Sequence, residues 1–159
     1  MTTTITGATG IDNIKAATGA VLQVVHGNYS SSTATASDTM VDTGITANIT
    51  PSSTSSKILV TVHASGPYKN TAGTSGGIDM NIVRGSTPIH SFAIANLYTG
   101  TTMQSNGTPM SATMLDSPST TSATTYKVQF KRYSATGGPS VGINASGETS
   151  TITLMEIAG

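Results

Sequence analysis

Residues 57–65 contain the pattern that decides the fold, and they read Lys57-Ile58-Leu59-Val60-Thr61-Val62-His63-Ala64-Ser65. One set of alternate residues, from Ile58 to Ala64, is wholly aliphatic, whereas the other set contains Leu59, Thr61 and His63. Successive side chains of a β-strand point to opposite faces, so this period of two predicts a strand with one buried face. We therefore expect His63 on an outer or subunit-facing surface.

The same alternation recurs along the chain between turns rich in Gly, Pro, Asn and Ser. Ile78–Arg84 repeats it, and Gly85-Ser86-Thr87-Pro88 then predicts the turn of a hairpin that returns through Ile89–Ala95. In all, the pattern predicts about nine strands: Ala20–His26, Met40–Thr50, Lys57–Ser65, Ile78–Arg84, Ile89–Ala95, Pro109–Leu115, Tyr126–Lys131, Ser140–Asn144 and Thr151–Met155.

The fold class that follows is all-β, because no segment after Ala20 has a helical period and Thr, Val and Ile favour a pleated surface. Many short strands bury their apolar faces in a sandwich or a barrel. A weak internal repeat favours an antiparallel, jelly-roll-like β-sandwich: Pro51-Ser52-Ser53-Thr54-Ser55 precedes one strand, and Pro118-Ser119-Thr120-Thr121-Ser122 precedes another. Turn propensity alone is an alternative explanation of this repeat.

Composition excludes several classes of function. The 159 residues carry 7 basic and 7 acidic side chains, so the net charge is zero and no cationic surface for nucleic acid is expected. No apolar run is long enough to span a bilayer and no secretory signal follows Met1, so we expect a soluble chain without membrane insertion. With 51 Ser or Thr residues and 9% charged residues, little repulsion keeps copies apart, and self-association is expected.

The first 19 residues differ from the remainder, and we divide the chain into an N-terminal attachment arm, residues 1–19, and a β-sandwich knob domain, residues 20–159. The arm contains Ile5, Ile11 and Ile14, and Ile11–Ala17 predicts one or two helical turns that end at Gly19. Such a piece is too short to be stable alone, so it would become ordered against a neighbour. A frayed chain end is the alternative.

The sequence contains no signature of a catalytic, metal or cofactor site. It has no Cys, its three histidines (His26, His63 and His90) lack the spacing of metal ligands, and no Gly-x-Ser-x-Gly motif occurs. Convergence of strand histidines around a threefold axis is left open. Two of the seven carboxylates could in principle act together on a polysaccharide, but spacing does not reveal such a pair. We therefore predict a protein that is not an enzyme and has no cofactor.

Tyrosines supply the best indication of a binding surface. Tyr29, Tyr68, Tyr98 and Tyr133 lie in or beside predicted loops, where an amphipathic ring can pack on a glycan or a partner. The neighbouring run Lys131-Arg132-Tyr133 combines cations with an aromatic ring, as surfaces that stack on sugars or bases do. A solvated strand face is the alternative for this run.

Several ordered segments, taken together, resemble a known group of proteins. They are Gly19–Val25, Ile49–Val60, Val83–Thr87, Leu115–Pro118, Thr125–Val128 and Ser150–Ala158. They are similar to the C-terminal domains of virion fibre and appendage proteins of tailed bacteriophages, especially marine and cyanobacterial ones, over about residues 19–159.

The resemblance implies a β-rich knob, a homotrimer, built into the virion after assembly in the bacterial cytoplasm and displayed outward, with a host surface glycan as a candidate partner. Fibres of this type carry the domain after a long shaft, whereas only residues 1–18 precede it here, so we expect a short head fibre, a capsid decoration protein or a cap on another tail protein. The arm would bind other virion proteins. A carbohydrate-binding module without a virion role is the first alternative, and a polysaccharide hydrolase the second.

Overall fold

The computed structural model describes residues 16–70, 75–100, 102, 104–105, 108–136 and 138–159. Ile5, Ile11, Ile14 and most of the expected helical turn of the arm lie outside this part of the chain. The described residues form twelve strands: β1 Val21–Tyr29, β2 Thr33–Thr35, β3 Val41–Ile49, β4 Lys57–Ala64, β5 Tyr68–Lys69, β6 Ser75–Arg84, β7 Thr87–Thr99, β8 Gln104–Ser105, β9 Met110–Asp116, β10 Thr124–Thr136, β11 Val141–Ile143 and β12 Ser150–Ile157. Within the described ranges, no helix has the length and apolar character needed to cross a membrane.

The eight long strands form two antiparallel four-stranded sheets. The first sheet has the order β1-β12-β4-β9, and the second sheet has the order β3-β10-β6-β7. When the long strands are numbered along the chain, these orders are 1-8-3-6 and 2-7-4-5, which is the double Greek key of a jelly roll. The predicted all-β, jelly-roll-like sandwich is therefore confirmed.

The core lies between the two sheets and is built from the alternating side chains. Ile58, Val60 and Val62 of β4 are 0% exposed, and Val128 and Phe130 of β10 face them with the same complete burial. Each aliphatic side chain of this size contributes about 1.5–3 kcal/mol when fully buried. The inward faces predicted from the period of two are the faces that pack.

The sandwich has two ends, which we call the base end and the loop end. At the base end, the backbone of Gly19 donates to the carbonyl of Ala158 and Ala158 donates to Ala20, each at 2.8 Å, so the chain enters the first sheet beside its last strand. At the loop end lie the connections that follow β1, β4, β7 and β10. Each of these connections contributes one short strand to a third sheet of order β2-β11-β5-β8.

The two similar Pro-Ser segments both occupy the base end. Residues 50–56 lead from β3 in the second sheet to β4 in the first, and residues 117–123 lead from β9 in the first sheet to β10 in the second. These are the second-to-third and sixth-to-seventh connections of the long strands, which are equivalent positions in the two four-strand halves. This placement favours the interpretation of the repeat as two Greek-key halves.

Candidate contact surface at the loop end

All four tyrosines predicted to contact a partner lie at the loop end. Tyr29 is the last residue of β1, Tyr68 is the first residue of β5, and Tyr98 and Tyr133 belong to the final parts of β7 and β10. The sequence placed them in or beside loops, and the structure puts all of them in strands next to the connections. They form two pairs with different surroundings.

Tyr29 and Tyr68 are half-buried and pack on glycines of neighbouring strands. A Cβ at Gly44 would overlap the ring of Tyr29, and a Cβ at Gly142 would overlap the ring of Tyr68. The Tyr29 hydroxyl shares a 2.6 Å hydrogen bond with the hydroxyl of Thr33. Tyr29 of the first sheet therefore contacts β2 of the third sheet, whereas the Tyr68 ring packs on β11 within the third sheet.

Tyr98 and Tyr133 are exposed and contact each other. Their side chains lie on the outer face of the second sheet, 51% and 38% exposed, with ring centroids 6.2 Å apart and an angle of 75° between the planes. This edge-to-face arrangement is favourable for aromatic pairs and fixes both rings while leaving a ring face to solvent. The pair is a preformed aromatic surface of the kind on which sugars and apolar side chains pack.

The strand segment that presents Tyr98 has an unusual backbone. Ala95 and Leu97 adopt φ values of 52° and 57°, a region that non-glycine residues rarely enter, and the β6–β7 pairing shifts register at several points nearby. Such irregularities re-aim side chains and cluster at functional sites. In this segment the side chains of Ile94 and Tyr98 are exposed and that of Leu97 is buried. The alternation in Ile89–Ala95 predicted a regular strand and gave no sign of this segment.

A buried carboxylate anchors this segment. Asp79 on β6 is 7% exposed, and one of its oxygens accepts a 2.8 Å hydrogen bond from the backbone N–H of Ala95. Its other oxygen lies 3.6 Å from the ammonium of Lys131 on β10. Asp79, on β6, therefore ties the irregular part of β7, which carries Tyr98, to Lys131 on β10.

Two buried polar residues that the sequence analysis did not single out complete the loop end. Lys69 is 1% exposed and donates to the carbonyl and the hydroxyl of Thr99, the last residue of β7, at 3.0 and 2.8 Å. Asn144 is 0% exposed and donates to the carbonyls of Tyr29 and Ser31. A buried polar group is tolerated only when it is hydrogen-bonded, so these residues fix the connections in one arrangement.

The cations of the Lys131-Arg132-Tyr133 run are paired within the chain. Lys131 faces Asp79, as described, and the guanidinium of Arg132 makes two hydrogen bonds to the carboxylate of Asp38. The hydrogen bonds from Arg132 lower the pKa of Asp38 from its ordinary value. Both cations of this run therefore form ion pairs within the chain.

The three histidines lie on two sheets. His26 and His63 lie on the outer face of the first sheet, where each ring contacts a hydroxyl of a neighbouring strand, Thr153 and Ser111 respectively. His90 lies on β7 of the second sheet. Among the residues that the structure describes, no group of three His, Cys, Asp or Glu side chains is placed to hold a metal ion. His63 does face outward, as the alternation predicted.

No protein-family model and no curated protein matches the sequence. Among solved structures, the chain is similar to the VP2 subviral particle of infectious bursal disease virus, with a TM-score of 0.38 and 12% identity over 86% of this chain and 37% of that chain. It is also similar to the structure of the Gx strain of infectious bursal disease virus, with a TM-score of 0.34 and 15% identity over 86% and 29% of the two chains. The match thus spans about a third of those longer chains, and at TM-scores below 0.5 the fold assignment rests on the strand order of this chain.

Proposed function

We propose that this chain is a structural protein of a tailed-bacteriophage virion. In this proposal it forms a homotrimeric knob or capsid decoration protein that residues 1–19 attach to the particle and that displays its loop end outward. The observation that carries the proposal is the separation of the two ends. The attachment segment joins the sandwich at the base end, and all four candidate contact tyrosines lie at the opposite end.

The distance between the ends suits a protein that is held at one end and contacts a partner at the other. The eight residues of β4 run from base to loop end, which corresponds to about 26 Å at about 3.3 Å per residue. Gly19 and Ala20 already belong to the sandwich through their bonds to Ala158. Attachment through residues 1–18 therefore leaves the loop end free to contact a host surface.

Fold and surface chemistry are consistent with this role. The jelly roll is used by viral capsid domains, lectins and cupins, so the fold alone does not select among them. The resemblance of residues 19–159 to phage fibre and appendage domains favours the virion. A neutral surface rich in Ser and Thr also suits assembly in salt, because charge-based contacts are screened within about 8 Å at physiological ionic strength.

Localisation on the particle tests this proposal. Gold-labelled antibody against the purified chain should decorate virions of the phage that encodes it, and mass spectrometry of gradient-purified virions should detect the chain. Removal of residues 1–18 should leave a folded β domain by circular dichroism but eliminate the chain from virions. Particles that lack the wild-type chain would refute the virion role, and particles that retain the shortened chain would refute attachment through the arm.

A carbohydrate-binding module without a virion role is the second candidate, and the exposed Tyr98–Tyr133 pair is the observation that favours it. The isolated protein would then bind on a glycan array, and Y98A and Y133A would remove the binding. L22A is the control, because it truncates an exposed side chain near the base end, away from all four tyrosines. Glycan binding by a chain that is absent from purified virions would favour this candidate. Glycan binding by a virion component would assign host contact to the loop end.

A further inference from the structure

An apolar row crosses the outer face of the first sheet from one edge to the other. Val24 on β1 pairs with Met155 on β12, Met155 pairs with Leu59 on β4, and Leu59 pairs with Leu115 on β9. The two members at the sheet edges are the most exposed, Val24 at 56% and Leu115 at 53%. In a strand that faces water on one side, these outward positions are normally polar. The row therefore indicates a surface that is covered in the assembled protein.

The two rows between it and the loop end are polar and contain no Lys, Arg, Asp or Glu, whereas the row on its base side contains Ile157 and the exposed Lys57. The members of the two polar rows are His26, Thr153, Thr61 and Thr113 in one row, and Asn28, Thr151, His63 and Ser111 in the other. Several of these groups are already bonded across strands: His26 to Thr153 at 2.9 Å, His63 to Ser111 at 3.0 Å, and Thr61 to Thr113 at 3.3 Å. Because much of their hydrogen-bonding capacity is used within the sheet, covering these rows costs less than covering ionised side chains.

The outer face of the second sheet has the opposite character. Lys127 pairs with Asp42 at 2.9 Å, and Lys131 lies 3.6 Å from Asp79, so ion pairs cross that face. Charged residues are depleted at the centres of protein interfaces. The contrast between the two faces selects the first sheet as the interface between copies and leaves the second sheet, with its Tyr98–Tyr133 pair, outside that interface.

We propose that the outer face of the β1-β12-β4-β9 sheet is the surface through which copies of this chain pack on one another in the homotrimer. The inference rests on the proposed function for the number of copies, but the face itself is chosen by its residues. With three such faces turned toward a common axis, Val24 at the edge of one copy lies beside Leu115 at the edge of the next. The apolar rows of the three copies, one row from each copy, then form one continuous ring around the axis.

The occupant is a further copy of the chain because the three rows contain no Lys, Arg, Asp or Glu. Lys57, at the base end of β4, is the one such residue that points outward from these four strands. A neutral face meets its own copies without repulsion, whereas a charged partner would find no complementary group in these three rows. Four strands about 4.8 Å apart and eight residues long give a flat area of about 500 Å². In the trimer this area is shared between two neighbours, so each contact is smaller than the roughly 800 Å² of accessible surface that each partner of a standard interface buries.

Light scattering of the purified full chain tests the interface. The wild type should elute as a particle of about 48 kDa, three times the 16.0 kDa of one chain. V24K and L115K should both elute as monomers with an unchanged β spectrum, because both side chains are exposed and a buried cationic ring would be repulsive. I94K is the matched control: it adds the same charge at an exposed aliphatic position of the other sheet and should leave the trimer intact. A wild-type monomer at about 100 µM, or trimers of V24K and L115K, would overturn the inference.

Cross-linking gives an independent measure that does not depend on a weakened assembly. The chain has no cysteine, so V24C/L115C carries the only thiols. Within one copy these positions are three strand spacings, about 14 Å, apart, which exceeds the reach of a disulfide. Oxidation should therefore produce a covalent trimer, and each single variant should yield no species larger than a dimer. Exclusive monomer from the double variant would contradict the ring.

Failure of this inference is distinguishable from failure of the proposed function. A chain that is found on virions but packs through another surface retains the virion role and loses this interface. A chain that trimerises through Val24 and Leu115 but is absent from virions retains the interface and loses the role.

Discussion

Ser52 donates two hydrogen bonds to one carboxylate oxygen of Glu156, one from its backbone N–H and one from its hydroxyl, each 2.7 Å long. The side-chain amide of Gln23 donates to the other oxygen at 2.6 Å. Glu156 is 0% exposed, so this contact joins the β3–β4 corner to two strands of the first sheet inside the protein. Burial raises the pKa of the carboxyl, but the hydrogen bonds from Gln23 and Ser52 outweigh it and lower the pKa to about 2.

We predict that E156Q lowers the free energy of unfolding by about 3 kcal/mol. The substitution removes the charge that strengthens three hydrogen bonds and turns an amide N–H₂ toward donors. The thermal midpoint should fall by roughly 6–12 °C for a chain of this size. Calorimetry or urea unfolding measures the change. E148Q is the control at the chain's other glutamate, which is only partly buried; equal losses for both variants would contradict a special role for Glu156.

The low pKa of Glu156 predicts a specific pH dependence of stability. The folded pKa, about 2, lies below the ordinary value of 4.5, so the unfolded chain takes up the proton first as the solution is acidified. The contribution, about 3 kcal/mol at 1.36 kcal/mol per pKa unit, is complete above pH 4.5 and is lost as the pH falls toward 2. Urea midpoints of wild type and E156Q should therefore converge over this range. A difference that stays constant from pH 7 to pH 2 would refute the assignment.

Much of the fold could be predicted from the sequence because its strands bury one face. The nine strands expected from alternation all exist, and Ile58, Val60 and Val62 are buried as the pattern requires. The strands that were missed, β2, β5 and β8, are two or three residues long. So short a strand shows no periodicity, and its pairing depends on partners far away in the chain, such as Thr35 with Val141.

The contact surface was less predictable because exposure of a tyrosine depends on its neighbours in space. Tyr29 and Tyr98 look equivalent in sequence, yet Gly44 accepts the ring of Tyr29 and no comparable site accepts Tyr98 among the described residues. The left-handed backbone of Ala95 and Leu97 also had no local signal, since neither residue favours it. It is held by Asp79, which is adjacent through sheet pairing and distant in sequence.

We predict that Y126F lowers stability by about 2 kcal/mol. The Tyr126 hydroxyl donates a 2.6 Å hydrogen bond to Asp116, which also forms a 2.8 Å ion pair with Arg84. Burial, and then the hydrogen bond and charge of Asp116, raise the pKa of Tyr126 far above its ordinary value, so the hydroxyl stays a donor. Loss of a donor to a buried carboxylate costs about 1.5–3 kcal/mol. Y133F, at an exposed ring, should change the urea midpoint little; equal effects of the two variants would contradict this account.

Gly44 should tolerate no side chain. Its φ is +98°, and a Cβ there would overlap the ring of Tyr29. We expect G44A to lower stability by more than about 3 kcal/mol, because backbone strain and a steric clash add. G85A is the control, since Gly85 also has a positive φ, +59°, but a Cβ there meets no atom within 4 Å. G85A should cost about 1–2 kcal/mol from the backbone alone. Similar urea midpoints for the two variants would show that the Tyr29 ring moves away from residue 44 at little cost in free energy.

Removal of the Asp79 carboxylate should loosen the segment that presents Tyr98. In D79A the backbone N–H of Ala95 loses its acceptor and Lys131 loses its partner, so the left-handed conformations at Ala95 and Leu97 are no longer held. Hydrogen exchange of residues 94–98 should become at least tenfold faster, while amides of the β4–β12 pair stay protected. D42A is the matched control, because it removes the other ion pair on the same sheet face, to Lys127, without touching this segment. Unchanged exchange in D79A would mean that the burial of Leu97 alone fixes the segment. The position of the tyrosine pair would then depend on core packing and not on Asp79.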